Sequence, residues 1–424
     1  MFDRRTFIRG LGLASLLPLP GVSLRANAEG DRQMNDLDRK LREALSPHVE
    51  AGEVPGLVAL IHADGRSHAI AAGQRALDGV PMTRDTIFRI ASLTKPVTAA
   101  LAMMLVEDGV MGLDDPVDRW LPELADRRVL TSIDAALHDT VPASRPITLR
   151  DLLTQRFGLG AIMEWPSRYP IQFAMEERGV APGPDFFAGT PEAYLSRLGE
   201  LPLVHQPGEG WLYDTGMHVA GILLARAAGK SLGTLMSERI LEPLGMTDTG
   251  FHVPSGKLDR LATFYRMDFE SGRLVVHDDK GRFASPPSFE SGSAGLVSTV
   301  DDFLLFLRML IEGGRRDGVR LVSPESVAEM TRDHLTADQR ASAEILLEGR
   351  WGWGLGMAVA LDQGRYGHEP GSFGWNGGYG TSAYADPASG LVGILFTQRT
   401  MDSPEMPPHF RDFWQTSYSK RSAE

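Results

Sequence analysis

Ser92-Leu93-Thr94-Lys95 sets a hydroxyl and an amine three residues apart. On a helix two such side chains share a face, so the lysine can reach the serine oxygen. A serine hydroxyl is a weak nucleophile at neutral pH and needs a nearby base, an oxyanion-binding site, or both. The pair therefore points to nucleophilic catalysis, with burial among polar or positive groups expected to lower the lysine pKa and keep part of it neutral. A helix starting at the serine would add backbone N–H groups and the positive end of its dipole. The plain alternative for Ser92 is a helix N-cap.

Context separates this motif from a second match, Ser417-Tyr418-Ser419-Lys420, which falls in a polar C-terminal tail expected to fray. Ser92 follows Phe88-Arg89-Ile90-Ala91 and opens an apolar helix, with Pro96 in the first turn, where a missing N–H costs least. Two further stretches carry chemistry. Trp211-Leu212-Tyr213-Asp214-Thr215 follows the turn Gln206-Pro207-Gly208-Glu209-Gly210, and a tyrosine near a lysine can relay protons as a phenolate. Standing alone it would read as a packing tyrosine. Gly374-Trp375-Asn376-Gly377-Gly378 runs into a strand expected over Tyr379 to Ala385. Glycines beside an edge strand let a ligand approach the backbone and leave an N–H free for an oxyanion; the alternative is a tight turn.

Other patterns explain themselves structurally. Gly229-Lys230-Ser231-Leu232-Gly233 matches a nucleophile elbow, but that elbow follows a strand and here a helix precedes it. Gly229 as a C-cap and Ser231 as the next N-cap account for it. Leu224 stands where a phosphate loop needs its first glycine. The eleven histidines show no paired metal spacing, so the sequence points to no metal site and no cofactor.

Elements must bring these residues together. Helical spacing runs over Asn35 to Val49, Thr98 to Val106, Ile147 to Leu153, Met217 to Ala228 with Gly229 as C-cap, Leu232 to Leu241, and from a cap at Ser298 or Thr299 to Ile311. A last helix is expected near Phe410 to Tyr418. Leu57 to His62 and His68 to Gly73 read as a hairpin about Asp64-Gly65, and Tyr379 to Ala385 and Leu391 to Thr397 as strands. A small β-segment falls around Phe264 to Val276. Residues 157–190, rich in Pro and Gly but carrying Trp165, Tyr169, Phe173, Phe186 and Phe187, read as a long irregular segment forming a lid or pocket wall. Trp351 and Trp353 read as core or pocket wall. Strand signals sit at both ends and helices between, so the expected fold is α+β: one antiparallel sheet built from both chain ends and flanked by helices, with a mostly helical insertion at about 105–290.

Composition bounds the function. The chain has 424 residues, 42% hydrophobic and 23% charged, with net charge −12, which disfavours nucleic acid and anionic membrane surfaces as partners. It has no cysteine, which excludes disulfides, thiolate metal sites and a cysteine nucleophile. Arg4-Arg5 before Thr6-Phe7-Ile8, the apolar run Leu11 to Leu19 and the triplet Ala26-Asn27-Ala28 have the layout of a twin-arginine signal peptide over residues 1–28. The expectation is an exported protein, periplasmic or secreted, partnered by the twin-arginine export machinery. No stable membrane insertion is expected after the signal is removed. A hydrolase unit over 29–405 and a C-terminal helix and tail over 406–424 complete the expected organisation.

Taken together, Ser92-Leu93-Thr94-Lys95, Tyr213 and a glycine-containing triplet before a late strand resemble the penicillin-recognising serine hydrolases. That group includes class C β-lactamases, D-alanyl-D-alanine peptidases and family VIII carboxylesterases. Leu113-Asp114-Asp115-Pro116-Val117, Leu149-Arg150-Asp151-Leu152-Leu153-Thr154, Glu242-Pro243-Leu244-Gly245-Met246-Thr247-Asp248-Thr249 and Ala294-Gly295-Leu296-Val297-Ser298-Thr299 are similar too, so the likeness spans about residues 35–400. The resemblance implies a β-lactamase/transpeptidase-like fold with Ser92 as acylated nucleophile and Lys95 with Tyr213 as the general-base pair. It implies an oxyanion hole from the backbone N–H groups of Ser92 and Gly378, and Trp375-Asn376-Gly377 as the substrate-binding third motif. His368 is a rival start for that motif, but Pro370 stands two residues after it where glycine is expected.

The departures narrow the chemistry. Trp375 replaces the lysine that helps bind a substrate carboxylate, Thr215 replaces an asparagine, and Gln155-Arg156-Phe157 replaces a His-Thr-Ser. A Trp-x-Gly motif is similar to the family VIII esterases. The expected function is a carboxylic-ester hydrolase acting on a small-molecule ester or amide. The alternatives are a β-lactamase or D-amino-acid peptidase on cell-wall-like amides, and a non-catalytic ligand-binding relative.

Overall fold

The computed structural model describes residues 23–77, 79–183, 185 and 187–419, with side chains from Asp36 onward. The paired arginines and apolar run of the expected leader, together with Phe186 and Lys420, lie outside these residues. In chain order the elements that frame the site are α1 (Ser23–Glu50), β1 (Gly56–Ala63), β2 (Arg66–Gly73), α2 (Thr94–Glu107), α3 (Pro170–Glu177), α4 (Thr215–Ala228), α5 (Val300–Ile311), β3 (Trp351–Trp353), β4 (Ala358–Ala360), β5 (Phe373–Gly377), β6 (Thr381–Asp386), β7 (Leu391–Thr397) and α6 (Pro408–Tyr418).

Seven strands form one antiparallel sheet in the order β3-β4-β5-β6-β7-β1-β2. The two ends of the chain meet inside the sheet, where β1 pairs with β7 from Leu57↔Thr397 to His62↔Val392. Leu57-Val58-Ala59-Leu60-Ile61 is a continuous apolar run rather than an alternating one because both faces of the strand are covered. On β7 the period of two shows which helix covers which face. Gly393 faces α6 so closely that a Cβ there would stand 2.5 Å from Trp414 Cζ3. Phe396, on the opposite face, packs against Phe88 and Phe303 of α5. The expected α+β architecture is thus realised.

Local signals also hold. Gly229 ends α4 in the left-handed region, at φ 65°. Ser231 caps the following helix by accepting from Thr234 N, and Thr299 caps α5 by accepting from Asp302 N. The helix capped by Ser231 runs past Leu241 to Leu244 through a π turn at Ser237–Leu241. The β-segment near Phe264 is a hairpin, Phe264–Asp268 with Arg273–Asp278.

Three expectations need correction. The glycine-rich stretch 374–378 is not a loop beside an edge strand: Phe373–Gly377 is itself β5, inside the sheet. β4 pairs only with Phe373 and Gly374, so Trp375 to Gly377 still present one free edge. Residues 157–190 are not wholly irregular, since Pro170 at the first turn starts α3. Ser417 does not lie in a fraying tail: it is buried in α6, its hydroxyl donating to Phe413 O at 2.7 Å. Among the described residues no single helix is long and apolar enough to cross a membrane.

Candidate active site

Ser92 sits in a 3₁₀ turn, Ala91–Leu93, that leads directly into α2. Ala91 before it is held at φ 45°, a conformation a non-glycine residue adopts only when its surroundings impose it. Those surroundings are visible. Ile90 N donates to Leu296 O at 3.0 Å, Thr381 Oγ1 of β6 donates to Ile90 O at 3.0 Å, and Leu296 N donates to Thr94 Oγ1 at 3.1 Å. Gly377 closes against the same turn. A Cβ there would lie 2.5 Å from Ile90 O and 3.4 Å from Ala91 Cβ, so only glycine lets β5 approach the serine turn.

Lys95, in the first turn of α2, is fully buried. Its Nζ donates to Ser92 Oγ at 2.9 Å, to Asp214 Oδ1 at 2.8 Å and to Ser293 O at 3.3 Å. The three-residue spacing thus produces the contact it predicts. The charge state differs from expectation. Burial, the largest influence, pushes the Lys95 pKa down, but the Asp214 carboxylate outweighs it together with Tyr213, and the net shift is upward. Lys95 therefore holds its proton at rest. Burial likewise pushes Asp214 up, but Lys95 and His218 more than reverse it and hold the carboxyl well below the usual carboxylate range.

Asp214 is the residue that sequence reasoning missed. It is the N-cap of α4 at φ 85°, yet its side chain makes no cap hydrogen bond. Instead it binds Lys95, accepts from Ser293 Oγ and contacts His218 Nε2 at 3.2 Å. His218 Nδ1 in turn meets Ser291 Oγ at 2.9 Å, and that oxygen accepts from Ser293 N and Ala294 N. Its position in the second motif, next to Tyr213, was the available signal.

Tyr213 is fixed by three tryptophans. Trp375 Nε1 donates to its phenolic oxygen at 2.5 Å, Trp211 stacks on its ring, and Trp353 meets the ring edge-on. Lys95 Nζ lies 4.3 Å from its ring centroid. Trp353 is therefore core behind Tyr213, whereas Trp351 lines the cavity described next. Trp375 is buried and aimed at Tyr213 rather than extended to bind substrate. Asn376 lines the cavity, but its carboxamide oxygen accepts from Ser382 Oγ at 2.7 Å. His368 is excluded as the third-motif start: it is packed among Trp351, Tyr384, Trp414 and Tyr418, where burial pushes its pKa down to about 3.

Ser92, Tyr213, Asp214, Trp375, Asn376 and Gly378 all open on one cavity of about 850 Å³, walled mainly by apolar side chains. The backbone N–H groups of Ser92 and Gly378 border it with no hydrogen-bond acceptor among the described residues. From segment 157–190, Trp165 and Phe187 line it, with Ile162, Met163 and Met175; Tyr169 and Phe173 do not. The pocket-wall expectation holds for part of that segment.

The chain and its fold have known counterparts. A family model described as Beta-lactamase matches residues 41–412. The Mycobacterium tuberculosis protein Rv1367c is 42% identical over 342 residues, covering 78% of this chain and 82% of that one. Esterase EstB of Burkholderia gladioli is 31% identical over 348 residues, covering 78% and 81%. Among solved structures, EstCE1, a hydrolase with promiscuous acyltransferase activity, superposes with a TM-score of 0.75 at 26% identity, covering 91% of this chain and 99% of that one.

Proposed function

The chain belongs to the Beta-lactamase family of serine hydrolases, and we propose that within it the protein is a carboxylic-ester hydrolase working through an acyl-enzyme on Ser92. The observation that carries this reading is the Lys95 Nζ to Ser92 Oγ contact at 2.9 Å, made at the wall of a large, mainly apolar cavity. Ser92 Oγ attacks the ester carbonyl carbon. Lys95 already holds a proton, so the base is the Tyr213 oxygen: as a phenolate stabilised by the Lys95 ammonium and the Trp375 N–H, it takes the serine proton and becomes a neutral phenol. The N–H groups of Ser92 and Gly378 receive the oxyanion of the tetrahedral intermediate. The C–O bond to the alcohol breaks and the leaving oxygen takes the proton from Tyr213. Water then attacks the acyl-enzyme by the same route, releasing the acid and restoring Ser92.

Ester rather than β-lactam substrates follow from the charges around the cavity. Trp375 supplies no cation for a substrate carboxylate. Arg197 lines the wall but lies over the Phe187 ring and donates to Arg178 O, while Glu176, Asp185 and Glu348 are acidic members of the same wall. A second reading rests on size: about 850 Å³ leaves room for an alcohol beside the acyl group, which would divert the acyl-enzyme to acyl transfer. We also propose that residues 1–28 direct export.

The decisive experiment is intact mass after a fluorophosphonate probe. Wild type should gain one adduct and Ser92→Ala none; an unlabelled wild type or a labelled alanine variant defeats the assignment. A nitrophenyl ester and a chromogenic cephalosporin, assayed in parallel with and without added alcohol, separate the readings. Fast cephalosporin turnover without ester turnover would leave a β-lactamase instead.

A further inference from the structure

The two ends of the fold meet in a cluster of imidazoles and carboxylates, none of which lines the Ser92 cavity. His48 lies at the end of α1, Glu53 in the turn before β1, and His409 and Asp412 in the first turns of α6. His48 Nδ1 is 2.6 Å from Glu53 Oε2, and His48 Nε2 is 2.8 Å from Asp412 Oδ2. The His409 ring stands 5.8 Å from that of His48. One ligand atom each from His48, Glu53 and His409 lie within 4.8 Å of one another.

His409 makes this more than a salt link. It is only 6% exposed, and neither ring nitrogen has a hydrogen-bond partner among the described residues. A buried polar group left unsatisfied costs ~1–3 kcal/mol. A His48 bridge between two carboxylates accounts for His48 and leaves His409 unexplained. A shared ion accounts for both.

We propose that His48, Glu53 and His409 bind one divalent transition cation of the zinc type. Two imidazole nitrogens and a carboxylate oxygen form a donor set suited to that class, with a fourth position left for water. His48 would ligate through Nδ1, and its Nε2–H already faces Asp412, the outer carboxylate that such ligands usually have. Ligand atoms about 2.0–2.1 Å from zinc sit roughly 3.4 Å apart, so the cluster must contract. The Glu53 side chain, 41% exposed, is the member free to swing. Arg399 shares this corner, but it donates to the Glu53 main-chain carbonyl at 2.6 Å and its charge is offset by Asp402. Binding replaces the His48–Glu53 hydrogen bond and releases its proton. The ion would tie α1 to α6 beside the β1–β7 pair, a staple in a chain without disulfides. His48 and His409 stand at opposite ends of the sequence, so no local spacing reveals them.

The test uses the untagged full chain stripped with EDTA. Zn²⁺ titrated by calorimetry should bind at one equivalent and raise Tm, and Co²⁺ should give visible d–d bands. Glu53→Gln and His409→Asn should each weaken that equivalent at least about tenfold, while ester turnover and fluorophosphonate labelling stay unchanged. Those two readouts keep this proposal separable from the esterase reading. If His409→Asn fails to fold, Glu53→Gln decides alone. Absence of a stoichiometric site in wild type, or variants that bind as tightly as wild type, overturns the proposal.

Discussion

Asp214→Asn isolates the charge behind Lys95. Asparagine keeps the side-chain shape and tolerates a positive φ as aspartate does, so the turn before α4 survives. What disappears is the carboxylate 2.8 Å from a fully buried ammonium. At an effective dielectric near 20 that attraction is about 6 kcal/mol. Part is recovered, because the amide oxygen still accepts from Nζ and Lys95 can shed its proton; removing one partner of a buried pair costs ~3–5 kcal/mol. We expect urea unfolding to show a loss of ~3 kcal/mol. The sign sets its pH range. The folded Asp214 pKa lies below its unfolded value of about 3.9, so its contribution is complete above that value and is lost as pH falls through the folded pKa. The folded Lys95 pKa lies above its unfolded value of about 10.4, so that contribution is complete below it and is lost as pH rises through the folded pKa. The difference between wild type and variant is therefore flat from about pH 5 to 9. With burial unopposed, Lys95 loses its proton and can no longer stabilise a Tyr213 phenolate. The kcat on a nitrophenyl ester should fall ~10²-fold and its pH profile should change shape. A stability difference under ~1 kcal/mol, or superimposable kcat profiles, refutes the reasoning.

Trp375→Phe keeps a ring against Tyr213 and Trp353 but deletes the N–H donated to the phenolic oxygen. We expect kcat to fall about tenfold, the worth of one hydrogen bond near a developing charge, with KM little changed; steady-state kinetics would expose an equal loss in both as a packing effect. Gly377→Ala drives a methyl to within 2.5 Å of Ile90 O, so the serine turn must shift. Overpacking of this kind costs ~1–3 kcal/mol, read as a lower Tm together with slower fluorophosphonate labelling. Asp302→Asn probes pH dependence. Burial lifts the Asp302 pKa to about 6 despite hydrogen bonds from Asp248 N and Thr249 Oγ1. A carboxyl whose folded pKa is raised binds its proton more tightly when folded, so it destabilises the fold as pH climbs from about 4 through 6, by ~2–3 kcal/mol at neutrality. Urea midpoints should fall over that window for wild type and stay level for the asparagine variant.

Much of the fold was legible because its signals are local. The hairpin at Asp64-Gly65, the cap at Gly229 and the Ser92–Lys95 spacing each depend on a few neighbouring residues, and each forms as read. What was not legible depends on contacts between distant segments. Lys95 looks like a base when only its own helix is considered, and becomes a paired cation when α4 brings Asp214 against it. The stretch 374–378 looks like a turn because glycines dominate it. It is a strand whose glycines serve close packing: Gly374 against Ala383 O and Gly377 against Ile90 O. The helix in 170–177 was hidden by the Pro and Gly around it.

Two features of the site, Trp375 and Asp214, meet on one side chain, Tyr213. Trp375 replaces a cation that would have faced the substrate, and points its N–H at Tyr213. Asp214, beside Tyr213, fixes a cation behind it. Read separately, the first removes a substrate-binding charge and the second disables Lys95 as a base. Read together, they concentrate hydrogen-bond donation and positive charge on the tyrosine, which shifts the basic function there and leaves position 375 without a cation for the substrate. A single adjustment thus accounts both for a proton acceptor that does not need a neutral lysine and for the proposed preference for uncharged esters. It also orders the variants: Trp375→Phe and Asp214→Asn act on the same oxygen, so their combined loss in kcat should be less than additive.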